Sequence, residues 1–297
     1  MDLTRAKRGI EGPMVASAEN RRRIVKITLI QMNSKPGDRD HNVRKAQERI
    51  EEAVRLKPDI IVLPEFFNTE YFAHYRDYKY IQYAERDDGY TLSAIKELAQ
   101  KYSIHIIATI YEEERPGLYY DTAMVVNPEG KILGKYRKVH PAAVQSLEKL
   151  YFRGGSKFQV FTINGWKVGI VICYDYRFPE SVRCLALLGA ELAIIPFATP
   201  TVDMWPVAMP TRAWDNSLYL AACNKVGREG DWVFPGGSMI VDPRGKILKS
   251  AGNEEAILSE DLDLTRVHEA RRANTTFRDR RPEMYKIIST FEDEKLS

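Results

Sequence analysis

The chain has 297 residues, 44% of them hydrophobic, which is enough to build a large core within one domain. Its 44 Lys and Arg against 41 Asp and Glu leave a net charge of +3 with no basic stripe, so composition makes no case for a nucleic-acid partner. Three cysteines, an odd number, argue against a disulfide framework and for a reducing, cytoplasmic setting, and no run approaches the ~18 apolar residues of a membrane span.

Residues 1–23 are polar and charged and lack the apolar segment of a secretory signal; they read as an extension before the folded part. A strand is expected at 24–31. An amphipathic helix follows at 38–56, with Val43, Ala46, Ile50 and Val54 at helical spacing. Next come strand 60–63, helix 92–102, strand 105–111 and a hairpin of 119–126 with 132–136 around Asn127-Pro128-Glu129-Gly130. Strands 157–163 and 167–173 flank Asn164-Gly165, a strong hairpin signal. Helix 179–188, strand 192–196, helix 206–216, strand 219–225 and strands 238–241, 247–250 and 256–262 complete the alternation. The stretches 68–80, 141–149 and 226–236 read as loops. The tyrosines Tyr71, Tyr75, Tyr78, Tyr80 and Tyr83 suit a lid, a subunit contact or core.

Three strand ends carry chemistry-bearing residues. The run Ile60-Ile61-Val62-Leu63 is followed by Pro64-Glu65, a single carboxylate among apolar and aromatic neighbours. Lys138 follows a strand in Tyr136-Arg137-Lys138-Val139-His140-Pro141. Cys173 ends Val168-Gly169-Ile170-Val171-Ile172 and precedes Tyr174-Asp175-Tyr176-Arg177-Phe178-Pro179-Glu180, a strand-to-helix elbow. Such an elbow holds a thiol at a sheet edge near a helix N-terminus, where the dipole favours thiolate. The alternative is a buried cysteine acting as a small hydrophobe.

The ordered set Leu63-Pro64-Glu65, Arg137-Lys138-Val139-His140 and Cys173-Tyr174-Asp175-Tyr176-Arg177-Phe178-Pro179-Glu180 resembles the three signatures of the nitrilase superfamily of carbon–nitrogen hydrolases, over about residues 24–288. The resemblance implies a four-layer α-β-β-α sandwich at 24–288, a tail at 289–297, no cofactor or metal, a small-molecule substrate, and a homodimer or higher homo-oligomer. It implies Cys173 as nucleophile, Glu65 as general base and Lys138 as the oxyanion's positive charge, which also favours thiolate. Splitting hydrolysis into acyl transfer to sulfur and then to water gives two easier steps. No histidine is needed, and His41, His74, His105, His140 and His268 are not paired at metal-ligand spacing.

The family's second glutamate corresponds to Glu148 in Ser146-Leu147-Glu148-Lys149-Leu150-Tyr151-Phe152, which positions Lys138, helps with proton transfer, or is a helical surface residue. This segment and Ala222-Cys223-Asn224-Lys225 are similar to N-carbamoyl amino acid amidohydrolases. Those carry two arginines after the cysteine, where this chain keeps only Arg177, and a histidine where it has Ser146; the Tyr-Asp-x-Arg-Phe-Pro-Glu form is shared with omega-amidases. Tyr174, Arg177, Phe197, Thr199, His140 and Asn224 are the substrate-binding candidates. Arg177 either pairs with a substrate carboxylate or ties the elbow to Asp175 or Glu180, the tie being preferred. The expected reaction is hydrolysis of an N-carbamoyl amino acid to ammonia, carbon dioxide and amino acid. The alternatives are an aliphatic or omega-amide and, in another class, a silent scaffold. The Arg-rich 267–288 segment is expected to reach a partner subunit around 275–285, and Cys184 and Cys223 are expected in the core.

Overall fold

The computed structural model describes residues 24–290; the extension at 1–23 and the tail beyond 290 lie outside them. In chain order the elements are β1 (Ile24–Gln31), α1 (Arg39–Val54), β2 (Ile60–Glu65), α2 (Tyr90–Tyr102), β3 (His105–Arg115), β4 (Leu118–Val126), β5 (Ile132–Arg137) and α3 (Glu148–Tyr151). Then follow β6 (Val160–Ile163), β7 (Trp166–Ile170), α4 (Pro179–Leu187), β8 (Leu192–Phe197), α5 (Trp205–Asn216), β9 (Tyr219–Asn224), β10 (Val226–Glu229) and β11 (Trp232–Pro235). β12 (Met239–Val241), β13 (Ile247–Ser250), β14 (Ala256–Asp263), α6 (Leu264–Ala273) and α7 (Thr276–Asp279) finish the chain.

Two six-stranded sheets result, ordered β14-β1-β2-β3-β4-β5 and β13-β12-β9-β8-β7-β6. In each, three central strands run parallel and the outer ones antiparallel. The strand period of two sorts side chains by face. In β2, Ile60 and Val62 join the core shared with β7 and β8, while Ile61 and Leu63 join Ala46 and Ile50 of α1 and Ile95 of α2. On the other sheet, Val182 and Leu185 of α4 and Met209 and Ala213 of α5 complete the core. The layers are therefore helix, sheet, sheet, helix, as the sequence implied.

Local signals place the boundaries. Asp38 caps α1 by accepting from the His41 N–H at 3.0 Å. Asn164 and Gly165, with φ of 48° and 81°, make the two-residue turn between β6 and β7, whose twist suits a hairpin.

Some expectations differ from the fold. The 226–236 loop contains the β10–β11 hairpin, held down from below: the buried Lys225 ammonium pairs with Glu229 at 2.5 Å and donates to the Thr69 carbonyl at 2.8 Å. α6 packs Leu264 and Val267 into the core, and the helical turns at 276–288 beyond it bury no residue of their own, which neither supports nor opposes the expected subunit contact. Cys184 is half-buried rather than core, and Cys223 is fully buried. The tyrosine-rich loop divides: Tyr71 and Tyr80 join Phe66, Phe72, Tyr111 and Phe152 in a third, aromatic core, and Tyr78 faces solvent. No helix among the described residues is long and apolar enough to cross a membrane.

Candidate active site

The strand ends converge. Glu65 is the last residue of β2, Lys138 follows β5, Glu148 opens α3 and Cys173 lies three residues past β7. Lys138 Nζ lies 2.8 Å from Glu65 Oε1, 2.8 Å from Glu148 Oε1 and 3.3 Å from Asp121 Oδ2. All four side chains are shut away from solvent. Glu65 Oε2 also accepts the Ala198 N–H at 2.6 Å. Glu148 accepts the Ala142 N–H at 2.7 Å and the Tyr71 hydroxyl. Glu148 is therefore a buried partner of Lys138, not a surface residue.

Burial opposes the charged form of Lys138, but Glu148 and Glu65 outweigh it and hold the ammonium well above its ordinary range. Burial raises Glu148, with Lys138 pulling the other way. Glu65, Asp121 and Glu148 have oxygens within 4.8 Å of one another. The Lys138 ammonium is in contact with all three, so the cation this cradle surrounds is the lysine's own.

Cys173 sits at φ +41°, in the left-handed region that costs an L-residue about 1–2 kcal/mol. Phe66, just after Glu65, has φ +50°. Asp175 holds the elbow by accepting from Ile172 N–H at 3.0 Å, Tyr136 hydroxyl at 2.7 Å and His140 N–H at 3.0 Å, with His140 Nδ1 a further 2.8 Å contact. At about 1 kcal/mol each, these bonds offset the strain. Lys138 does favour thiolate, as expected, but it is outweighed. Burial first, then the charge on Glu65, push the thiol well above its ordinary pKa, and Lys138 only partly opposes them. Enclosure thus favours the neutral form of the Cys173 thiol.

A cavity of about 80 Å³ opens onto Cys173 and Glu148. Tyr174, Arg177 and Thr199 line it, together with Tyr71, His74 and Val144. Phe197, His140 and Asn224 do not. Phe197 is buried against Trp205, with ring centroids 4.3 Å apart. His140 stacks on Phe178 at 3.9 Å. The Asn224 side chain accepts the Thr199 N–H and donates to the Thr199 and Gly236 carbonyls, fixing the wall that Thr199 forms. Arg177 does not tie the elbow: Asp175 is occupied by other donors, and Arg177 is exposed at the cavity, with no hydrogen bond or ion pair among the described residues. A larger cleft of about 510 Å³, lined by Arg115, Arg137 and Arg153, contains none of the four clustered catalytic candidates.

Three contributors have roles that sequence reasoning does not assign, although the run Phe197-Ala198-Thr199-Pro200 is expected from the sequence to border the site. Tyr71 reaches Glu148 from the aromatic core, Ala198 supplies only a backbone N–H, and Asp121 is mid-strand in β4. Asp121 alone left a signal, a carboxylate at an otherwise apolar strand position.

The Carbon-nitrogen hydrolase family matches residues 26–272. A nitrilase from Pyrococcus abyssi is 35% identical over 88% of this chain and 99% of its own length. The human omega-amidase NIT2 is 34% identical over 88% of this chain and 97% of its own. The crystal structure of a carbon-nitrogen hydrolase from Helicobacter pylori G27 superposes with a TM-score of 0.84 at 30% identity, covering 89% of this chain and 98% of that one. With its two-sheet sandwich and its buried Glu65, Lys138 and Glu148 beside Cys173, the chain belongs to the carbon–nitrogen hydrolase family of the nitrilase superfamily.

Proposed function

We propose that the protein is a thiol amidase for short linear omega-amides, molecules with a carboxamide at one end and a carboxylate at the other. The observation that carries this reading is the unpaired Arg177 guanidinium in the wall of the small cavity that holds Cys173. A guanidinium that lies over the Tyr176 ring but has no carboxylate partner among the described residues suits a substrate carboxylate, which it grips through two parallel donors. The likeness to an omega-amidase favours this amide class over the N-carbamoyl amino acids expected from the sequence, which also carry a carboxylate.

The thiol proton passes to Glu65 as sulfur attacks the amide carbon. Lys138 stabilises the oxyanion. Glu65 then protonates the departing nitrogen, and ammonia leaves behind a thioester. Glu65 next takes a proton from water as the hydroxide adds to the thioester carbon; the C–S bond then breaks, the acid leaves, and Glu65 returns the proton to the Cys173 sulfur. Glu148, held by Tyr71 and the Ala142 N–H, keeps Lys138 in place. A homodimer is part of the same reading: Leu187 and Leu188 at the end of α4 and Val207 and Trp214 on α5 are large apolar side chains left 46–59% exposed.

Ammonia release from omega-amides, neutral aliphatic amides and N-carbamoyl D- and L-amino acids tests the proposal. Arg177→Met should lower kcat/KM for the carboxylate-bearing amide about 10–100-fold, the worth of a charged hydrogen bond, and leave neutral amides nearly untouched. Equal loss on both classes, or release from the carbamoyl set alone, refutes it.

A further inference from the structure

The buried cluster holds one ionisable group more than the proposed chemistry uses. Asp121 is nearly fully buried at 1% exposure, with its side chain wholly enclosed. Its Oδ2 lies 3.3 Å from Lys138 Nζ, yet neither of its oxygens has a hydrogen-bond partner among the described residues. Three ionised carboxyls around one ammonium would leave two uncompensated negative charges in a dry site, which is costly. One proton on one carboxyl halves that excess.

The donors decide which carboxyl holds it. Glu65 receives Lys138 on one oxygen and the Ala198 N–H on the other. Glu148 receives Lys138 and Tyr71 on one oxygen and the Ala142 N–H on the other. Donors at both oxygens stabilise a carboxylate, and at Glu148 the bonds from Lys138 and Tyr71 oppose the rise that burial causes. Asp121 receives none, so both its oxygens are open to a proton.

We propose that Asp121 is a neutral carboxylic acid in the working enzyme, a positioning residue that turns its carbonyl oxygen to the Lys138 ammonium and its proton to Glu65. Burial and the neighbouring Glu65 charge raise Asp121 well above the carboxylate range, in keeping with this geometry. Lys138 then meets two charges and one dipole. An ionised Asp121 would instead add negative charge to a site whose thiol Glu65 and Glu148 already hold protonated. The inference rests on the arrangement around Lys138, not on which amide is cleaved.

Infrared difference spectra of wild type minus Asp121→Asn, taken at neutral pH without substrate, test it directly. A protonated carboxyl has a carbonyl stretch apart from carboxylate bands, and this band should be present in wild type and missing in the variant. In kinetics on the substrate turned over, Asp121→Ala should lose about 100-fold or more in kcat/KM, and Asp121→Asn, which keeps a carbonyl and a donor, should recover to within about tenfold of wild type. A band that is absent from wild type, or that persists in Asp121→Asn, overturns the proposal. So does a folded Asn variant as impaired as the Ala variant.

Discussion

Replacing Glu65 by Gln separates the base from the charge that holds the thiol protonated. The side chain keeps its size, but an amide offers one acceptor where the carboxylate offered two. Lys138 and the Ala198 N–H both donate to Glu65, so one of these contacts is lost. That costs about 1.5–3 kcal/mol, a fall in melting temperature of about 2–5 °C, and the fold survives. Catalysis suffers more: loss of a general base should lower kcat/KM about 10²–10⁴-fold, or about 3–5 kcal/mol. The thiol should move the opposite way. Glu65 is the foremost charged group raising Cys173, so its removal lets thiolate form at lower pH than in wild type. Thiolate absorbance titrated against a Cys173→Ala blank, beside ammonia-release kinetics, reads both effects. A more acidic thiol together with slower acylation is the expected pair. Activity within about tenfold of wild type refutes Glu65 as base, and an unmoved thiol titration refutes the charge coupling.

Cys173→Ala should abolish turnover while circular dichroism and melting stay near wild type, since a thiol becomes a methyl in a packed site; residual cysteine-independent turnover would refute covalent catalysis. His74, stacked on Trp232 at 3.6 Å, has its pKa lowered from 6.5 to about 4, chiefly by burial. The folded ring binds its proton less readily than the unfolded one, so this contribution to stability is complete above pH 6.5 and is lost as pH falls toward 4. Denaturant midpoints measured across that window should fall less steeply for His74→Phe; parallel curves would show that the ring protonates freely in the fold.

The sequence by itself determined the alternation of strands and helices, because buried strands read as short apolar runs and α1 carries its apolar residues at helical spacing. It also marked Glu65, Lys138 and Cys173, since each breaks a strand-like run with a group that an apolar environment would otherwise exclude. Glu148 was reached through the family's pattern, and only its bonds to Lys138, Tyr71 and Ala142 separate it from a surface glutamate. Tertiary structure decided the rest. Tyr71 and the Ala198 N–H reach the site across the chain, and Arg177 is left free because Asp175 is claimed by Tyr136 and His140. The upward push on the thiol was likewise beyond composition or spacing. A pKa is set by enclosure and by the charges brought near, and those distances exist only once the two sheets are packed.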